Sequence, residues 1–304
     1  MRNAFAKALY ECALADERIY ILAADISPAG PLVQFAKDFP RRFINVGVAE
    51  QAMIGMAAGL ALKGMRPFCY TIATFALYRP FEFIRDDIAY QNLPVTVVGM
   101  GAGLNYSTLG ATHHAIEDVA VASAIPGMRV LAPCDPTETQ ECVRWCATEA
   151  KGPTYLRIGK EGEPDLVLAA PMVVKSHWRF GYPRLIRHGD SESCCILSYG
   201  PICSAALEVA ESLHNADVYS YSTLKPIIAD SWFNRYKEVF VIEEHVRSGG
   251  LGEKLGLPSF CLKDEFVHYH GERDELLRRH GLTAEQIVAK LNEKRDIPRH
   301  ATRR

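Results

Sequence analysis

The sequence predicts an α/β protein: a domain built on a parallel sheet, followed by a smaller α/β domain. Three observations carry that reading. Short continuous apolar runs alternate with helical stretches through the first half of the chain. The rhythm breaks over residues 160–190, where glycine, proline and mixed charge collect. It then resumes. Strands apolar on both faces and separated by helices belong to parallel sheets covered on both sides.

In order, residues 19–24, 68–71, 95–100, 129–132 and 155–158 read as strands of the first domain. Helical patterns fall at 4–14, 51–62, 81–90, 117–124 and 137–150. The 51–62 segment is apolar nearly all round and rich in alanine and glycine, which predicts a buried helix ended by Gly64 as its C-cap glycine. In the second domain, strands are expected at 194–198, 218–222, 239–243 and 266–270, and a helix at 205–213. Thr283 and Gln286 form a capping-box pattern that opens a last helix running to about Asn292, and the basic segment 297–304 is expected to fray. The domains are therefore set at 1–160 and 191–304, with 161–190 as linker.

Composition narrows the function classes. The 304 residues carry 34 basic and 36 acidic side chains, a formal charge of -2. That balance argues against a nucleic-acid or membrane-surface role, either of which favours a basic patch. No apolar run reaches the ~18 residues of a membrane span. Glu11, Asp16 and Glu17 interrupt any signal-like segment early, so the expected compartment is the cytoplasm. The nine cysteines are odd in number and irregularly spaced, which suggests no disulfide framework. Cys142 and Cys146 lack a second pair at zinc spacing, and the adjacent Cys194 and Cys195 point to opposite faces of a strand.

Four segments could carry chemistry. In Asn45–Met53, Glu50 is the single acid entering a helix of small apolar residues. It could satisfy amides at the helix start, or be a carboxyl held out of water to trade a proton. Phe75, Tyr78, Phe81 and Phe83 crowd together just after a predicted strand. They could be core, or could stack on a flat heterocycle where open sheets bind ligands. His113 and His114 precede a helix, either facing solvent or placed for proton transfer. Arg157 ends a strand, as a surface charge or as a bidentate holder of phosphate or carboxylate.

The order of these segments resembles the C-terminal half of transketolase-type, thiamine-diphosphate enzymes, and most closely the C-terminal subunit of a split transketolase. The resemblance runs through Ala23-Ala24-Asp25, residues 45–51, Thr74-Phe75, Asn92-Leu93-Pro94, Thr112-His113, residues 132–136 and Tyr155-Leu156-Arg157. It continues through Val241-Ile242-Glu243-Glu244 and residues 248–252. It implies a pyrimidine-binding domain followed by a transketolase C-terminal domain. Glu50 matches the glutamate that hydrogen-bonds the cofactor's aminopyrimidine, where a carboxyl on the far ring nitrogen stabilises the imino form that deprotonates the thiazolium carbon. Phe75 matches the stacking aromatic, with Tyr78, Phe81 and Asp25 also expected at the cofactor. His113 matches a histidine near the substrate, and Arg157 an arginine at the substrate's phosphate end.

Two departures and one absence complete the reading. Thr108 and Leu109 stand where sugar-using relatives have an acidic pair, and Gly101 where a histidine or aspartate is usual. An ordinary pentose or hexose phosphate acceptor is thereby put in doubt. The Gly-Asp-Gly…Asn metal and diphosphate motif is missing. Its nearest match, Gly189-Asp190 with Asn215, has Ser191 in place of the second glycine and precedes a strand. The resemblance therefore implies an N-terminal partner subunit that carries the motif and the Mg2+ ligands, in an α2β2 assembly moving a two-carbon ketol unit from a ketose to an aldehyde. The β chain of a 2-oxo acid dehydrogenase first component is the alternative.

Overall fold

The structure, a computed structural model, describes all residues but 27, 29, 161, 167–176, 190–192, 229–230 and 297–304. The expected frayed segment, and Asp190 and Ser191 of the rejected metal motif, lie outside the described residues.

Two sheets form the frame. Among the described residues the first has seven strands in the order β10-β5-β6-β4-β3-β1-β2, and the second has five in the order β12-β11-β8-β9-β7, with β8 (Cys194–Ser198) at its centre. In the first sheet β1 (Ile19–Ala23), β2 (Phe43–Asn45), β3 (Arg66–Ile72), β4 (Thr96–Met100), β5 (Arg129–Leu131) and β6 (Thr154–Ile158) all run parallel. Strands β1, β3, β4 and β6 are buried along nearly their whole length, as the continuous apolar runs require. The helices Arg2–Ala15 and Pro136–Thr148 pack together in one apolar cluster with Phe68, Val98 and Leu156. Cys142 and Cys146 are buried in that cluster, where desolvation pushes the Cys146 thiol up to about 12. The helix Glu50–Leu62 belongs to a different cluster, with Cys69, Val97 and Tyr155. It ends where Gly64 adopts φ +85, which lets the Met65 amide reach the Leu60 carbonyl.

The domain boundary is less clean than the composition break suggests. Strand β7 (Arg184–Arg187) lies inside the expected linker and pairs antiparallel with β9 (Ala216–Ser220) of the second sheet. Strand β10 (Thr223–Lys225) leaves the second domain and extends the first sheet, antiparallel to β5. One apolar cluster joins Val119 and Ala122 with Tyr199, Leu224 and Leu251 from the other domain. The two units are thus fused through a common core.

Several expectations are corrected. Residues 266–270 are not a strand: Phe266 is 64% exposed, and the alternation Phe-Val-His-Tyr-His imitates a half-buried strand but joins neither sheet. The final strand is instead β12 (Ser259–Leu262), beside β11 (Glu238–Val246), and its four residues after Pro258 are too short to stand out by pattern. Residues 81–90 are a single helical turn followed by a π-helix over Ile84–Ala89, with the Tyr90 amide bonded to the Arg85 carbonyl. The helices Pro31–Asp38 and Arg273–His280 were not anticipated.

Candidate active site

Strand order places the site. β2 lies on one side of β1, and β3 and β4 on the other. Open parallel sheets bind ligands at the carboxyl ends of strands flanking such a reversal. Asp25 follows β1, Glu50 follows β2, and Thr74-Phe75 follow β3. Asp25 is exposed, with the uncommon φ of +60.

A tight turn delivers Glu50. Gly47 takes φ +69, its amide donates to Asn45 Oδ1 at 2.9 Å, and the Ala49 amide donates to the Gly47 carbonyl at 2.8 Å. Glu50 then opens its helix, where unpaired amides favour an anion. It is only 2% exposed. A carboxylate so far from water needs a partner, and Arg79 Nη1 donates to its Oε1 at 2.7 Å.

Arg79 also covers the aromatic. Its guanidinium carbon stands 3.9 Å from the centre of the Phe75 ring. The edge of His113 meets the same phenylalanine, with centroids 5.1 Å apart at 71°. Burial, and then the Arg79 charge, hold the His113 imidazole below its ordinary pKa, so it is neutral at pH 7. Thr112 Oγ1 lies 2.9 Å from His113 Nδ1, and Thr74 Oγ1 donates to the Thr112 carbonyl at 2.9 Å. Glu50, Phe75 and His113 are therefore gathered around one arginine that sequence reasoning missed. Its only signal was a position one residue after the aromatic run Phe75–Tyr78.

The other expected residues sit differently. Tyr78 and Phe81 are half-buried against the apolar cluster that joins the domains. The Tyr78 hydroxyl is buried, and desolvation followed by the charges of Asp118 and Glu117 raises its pKa. Arg157 lies in the seam between the two domains. It is 1% exposed, its Nε pairs with Asp118 Oδ2 at 2.9 Å, and its Nη2 donates to the carbonyls of Ala115 and Glu244 at 3.0 and 3.1 Å. A guanidinium held in this way is a strut between domains. Gly101 has its own reason: at φ +92, a Cβ would lie 2.2 Å from the Tyr106 ring, so neither histidine nor aspartate fits there.

The residues present fit a flat heterocycle. The planar guanidinium of Arg79 fills the slot between Phe75 and Glu50, stacking on one and hydrogen-bonding the other as a flat ring bearing N–H groups would. A parallel sheet with this slot, fused to a second α/β domain, defines the class: the pyrimidine-binding half of a thiamine-diphosphate enzyme. Residues 1–162 match the family description "Transketolase, pyrimidine binding domain", and residues 184–287 match "Transketolase, C-terminal domain". The chain belongs to the transketolase family, which depends on thiamine diphosphate. It is 34% identical to a putative transketolase C-terminal section of Methanocaldococcus jannaschii, covering 96% of this chain and 95% of that one. It is 30% identical to one subunit of the apulose-4-phosphate transketolase of Phocaeicola vulgatus, over 94% of each. A solved structure described as a split gene transketolase, inactive beta4 tetramer, superposes with a TM-score of 0.82 at 34% identity over 96% of both chains. These relatives favour a transketolase over a 2-oxo acid dehydrogenase β chain. Among the described residues, no helix is long and apolar enough to cross a membrane.

Proposed function

We propose that this chain is the C-terminal subunit of a two-chain transketolase that moves a two-carbon ketol unit from a ketose-type donor to an aldehyde. The observation that carries the reading is the buried Glu50 carboxylate joined to the face of Phe75 through Arg79. Thiamine diphosphate, when bound, supplies the carbanion chemistry that the side chains of a protein lack. Phe75 would stack on its aminopyrimidine, and Glu50 would hydrogen-bond the ring nitrogen far from the thiazolium and hold the imino form. Asp25, Tyr78 and Phe81 are the remaining candidates around that pocket. His113, neutral at pH 7 and set in the loop beside Phe75, is suited to take or return a proton at the substrate's carbonyl or hydroxyl oxygen.

The diphosphate cradle and the Mg2+ ligands are assigned to an N-terminal partner carrying Gly-Asp-Gly…Asn, in an α2β2 assembly in the cytoplasm. The relative named for apulose 4-phosphate supports a phosphorylated ketose. A Glu50→Gln variant mixed with the partner and cofactor tests the reading. Turnover should vanish while assembly persists, and full activity in that variant would remove the proposed role.

A further inference from the structure

The histidine of the proposed site rides on a closed loop. Residues 103–115 leave and return at one neck, where Gly103 and Ala115 exchange two backbone hydrogen bonds of 3.1 and 2.9 Å. Short loops with joined ends are compact units often used for function. Most of this neck is gripped by the second domain. Glu244, on β11 and 1% exposed, accepts the Leu104 amide on Oε1 at 2.6 Å. Arg273 Nε donates to the same oxygen at 3.1 Å, and its Nη2 pairs with Oε2. Gly103 takes φ +58 with its α-carbon against the Glu244 side chain, where a Cβ would lie 2.6 Å away. The side chains of Leu104 and Ile116 pack into the second domain's own core. Arg157 ties the Ala115 carbonyl to the Glu244 carbonyl. Further round, His270 Nδ1 meets the Thr108 carbonyl at 3.2 Å.

We infer that Glu244, held by Arg273, is a positioning residue for His113, and that the second domain sets the pose of that histidine by clasping the neck of its loop. From the cofactor side, Thr74 fastens the loop at Thr112. With the clasp open, the neck loses its charged anchor and His113 can drift from the edge of Phe75. A displacement of about 1 Å at a reacting group costs one to two orders of magnitude in rate.

The inference rests on the proposed role of His113, and the test separates the two. Histidine-labelled full-length chain is titrated by NMR without the partner, and kcat and KM are measured on the assembled pair with thiamine diphosphate and Mg2+. In Glu244→Ala, His113 should titrate at higher pH as it gains water. The kcat should fall about tenfold, with KM within about twofold. Glu244→Gln keeps an acceptor for Leu104 and should recover part of both. Gly103→Ala leaves the carboxylate intact and wedges the neck, so it should repeat the Glu244→Ala result, and it decides the matter should Glu244→Ala not fold. Folded variants with lower thermal stability but unmoved His113 titration and kcat overturn the inference. Undiminished turnover in His113→Ala overturns the relay role instead, while the titration still rules on the clasp.

Discussion

Arg79 and Glu50 form an ion pair of 2.7 Å in which the carboxylate is 3% and the arginine 42% exposed. The same guanidinium covers Phe75. In the proposed site the cofactor ring uses both of these groups, so the arginine would have to give way before the ring could enter.

Arg79→Met should therefore tighten thiamine diphosphate binding in the assembled pair. A half-exposed ion pair and a cation–π contact together are worth about 1 kcal/mol, which corresponds to roughly fivefold in Kd. Calorimetric titration of wild type and variant checks it. Weaker binding in the variant would make Arg79 a contact of the bound ring instead of its competitor.

Arg157→Met should act on stability and leave substrate recognition alone. Among the described residues, the change leaves the Asp118 carboxylate in the domain seam with the Tyr155 hydroxyl, at 2.8 Å, as its remaining side-chain partner. Breaking one side of a buried ion pair costs about 3 kcal/mol or more. Urea unfolding should show that loss. A variant of wild-type stability with a raised KM would return Arg157 to the substrate.

Arg157 also shows what a sequence can and cannot yield. Strand periodicity placed it at the end of β6, and that placement is right. Its environment depends on Asp118 and the Glu244 carbonyl, and the latter lies 87 positions away in another domain. No local pattern encodes such a partner. Glu50 was legible because one acid in an otherwise apolar helix start breaks a strong rule. Arg79 was not, because an arginine after an aromatic run breaks none. The parallel core strands were legible from burial on both faces. β10 was not, since three residues crossing to a foreign sheet carry no periodicity.

Acid should weaken the fold through His245. This side chain is fully buried on β11, its Nδ1 lies 2.6 Å from the Val246 carbonyl, and its Nε2 accepts the Ala120 amide at 3.4 Å. Burial depresses its pKa to about 4. The unfolded chain takes the proton first, near ~6.5. Its stabilising share is therefore intact above that value and is lost as pH falls toward about 4. Between pH 7 and 5 the loss is about 2 kcal/mol for this one group. Urea unfolding of wild type and His245→Asn at both pH values should show a smaller drop in the variant. Equal drops would place the acid sensitivity elsewhere.

The helix opened by Glu50 presents Ala52, Met56, Gly59 and Leu62 to solvent, with Met56 43% and Leu62 61% exposed. Its opposite side, through Met53, Ile54 and Ala57, is already core. A helix apolar on every side keeps an uncovered face only when another surface is meant to meet it. Because Glu50 begins this same helix, a subunit docked here would stand next to the cofactor's ring end, as the split-enzyme reading requires. Met56→Glu should block assembly with the N-terminal subunit while leaving the isolated chain folded. The carboxylate would be forced into a desolvated contact with nothing to pair it, a cost of several kcal/mol. Light scattering of the mixed subunits reads the outcome, with circular dichroism as the folding control. Normal assembly of the variant would move the partner interface to another face of the molecule.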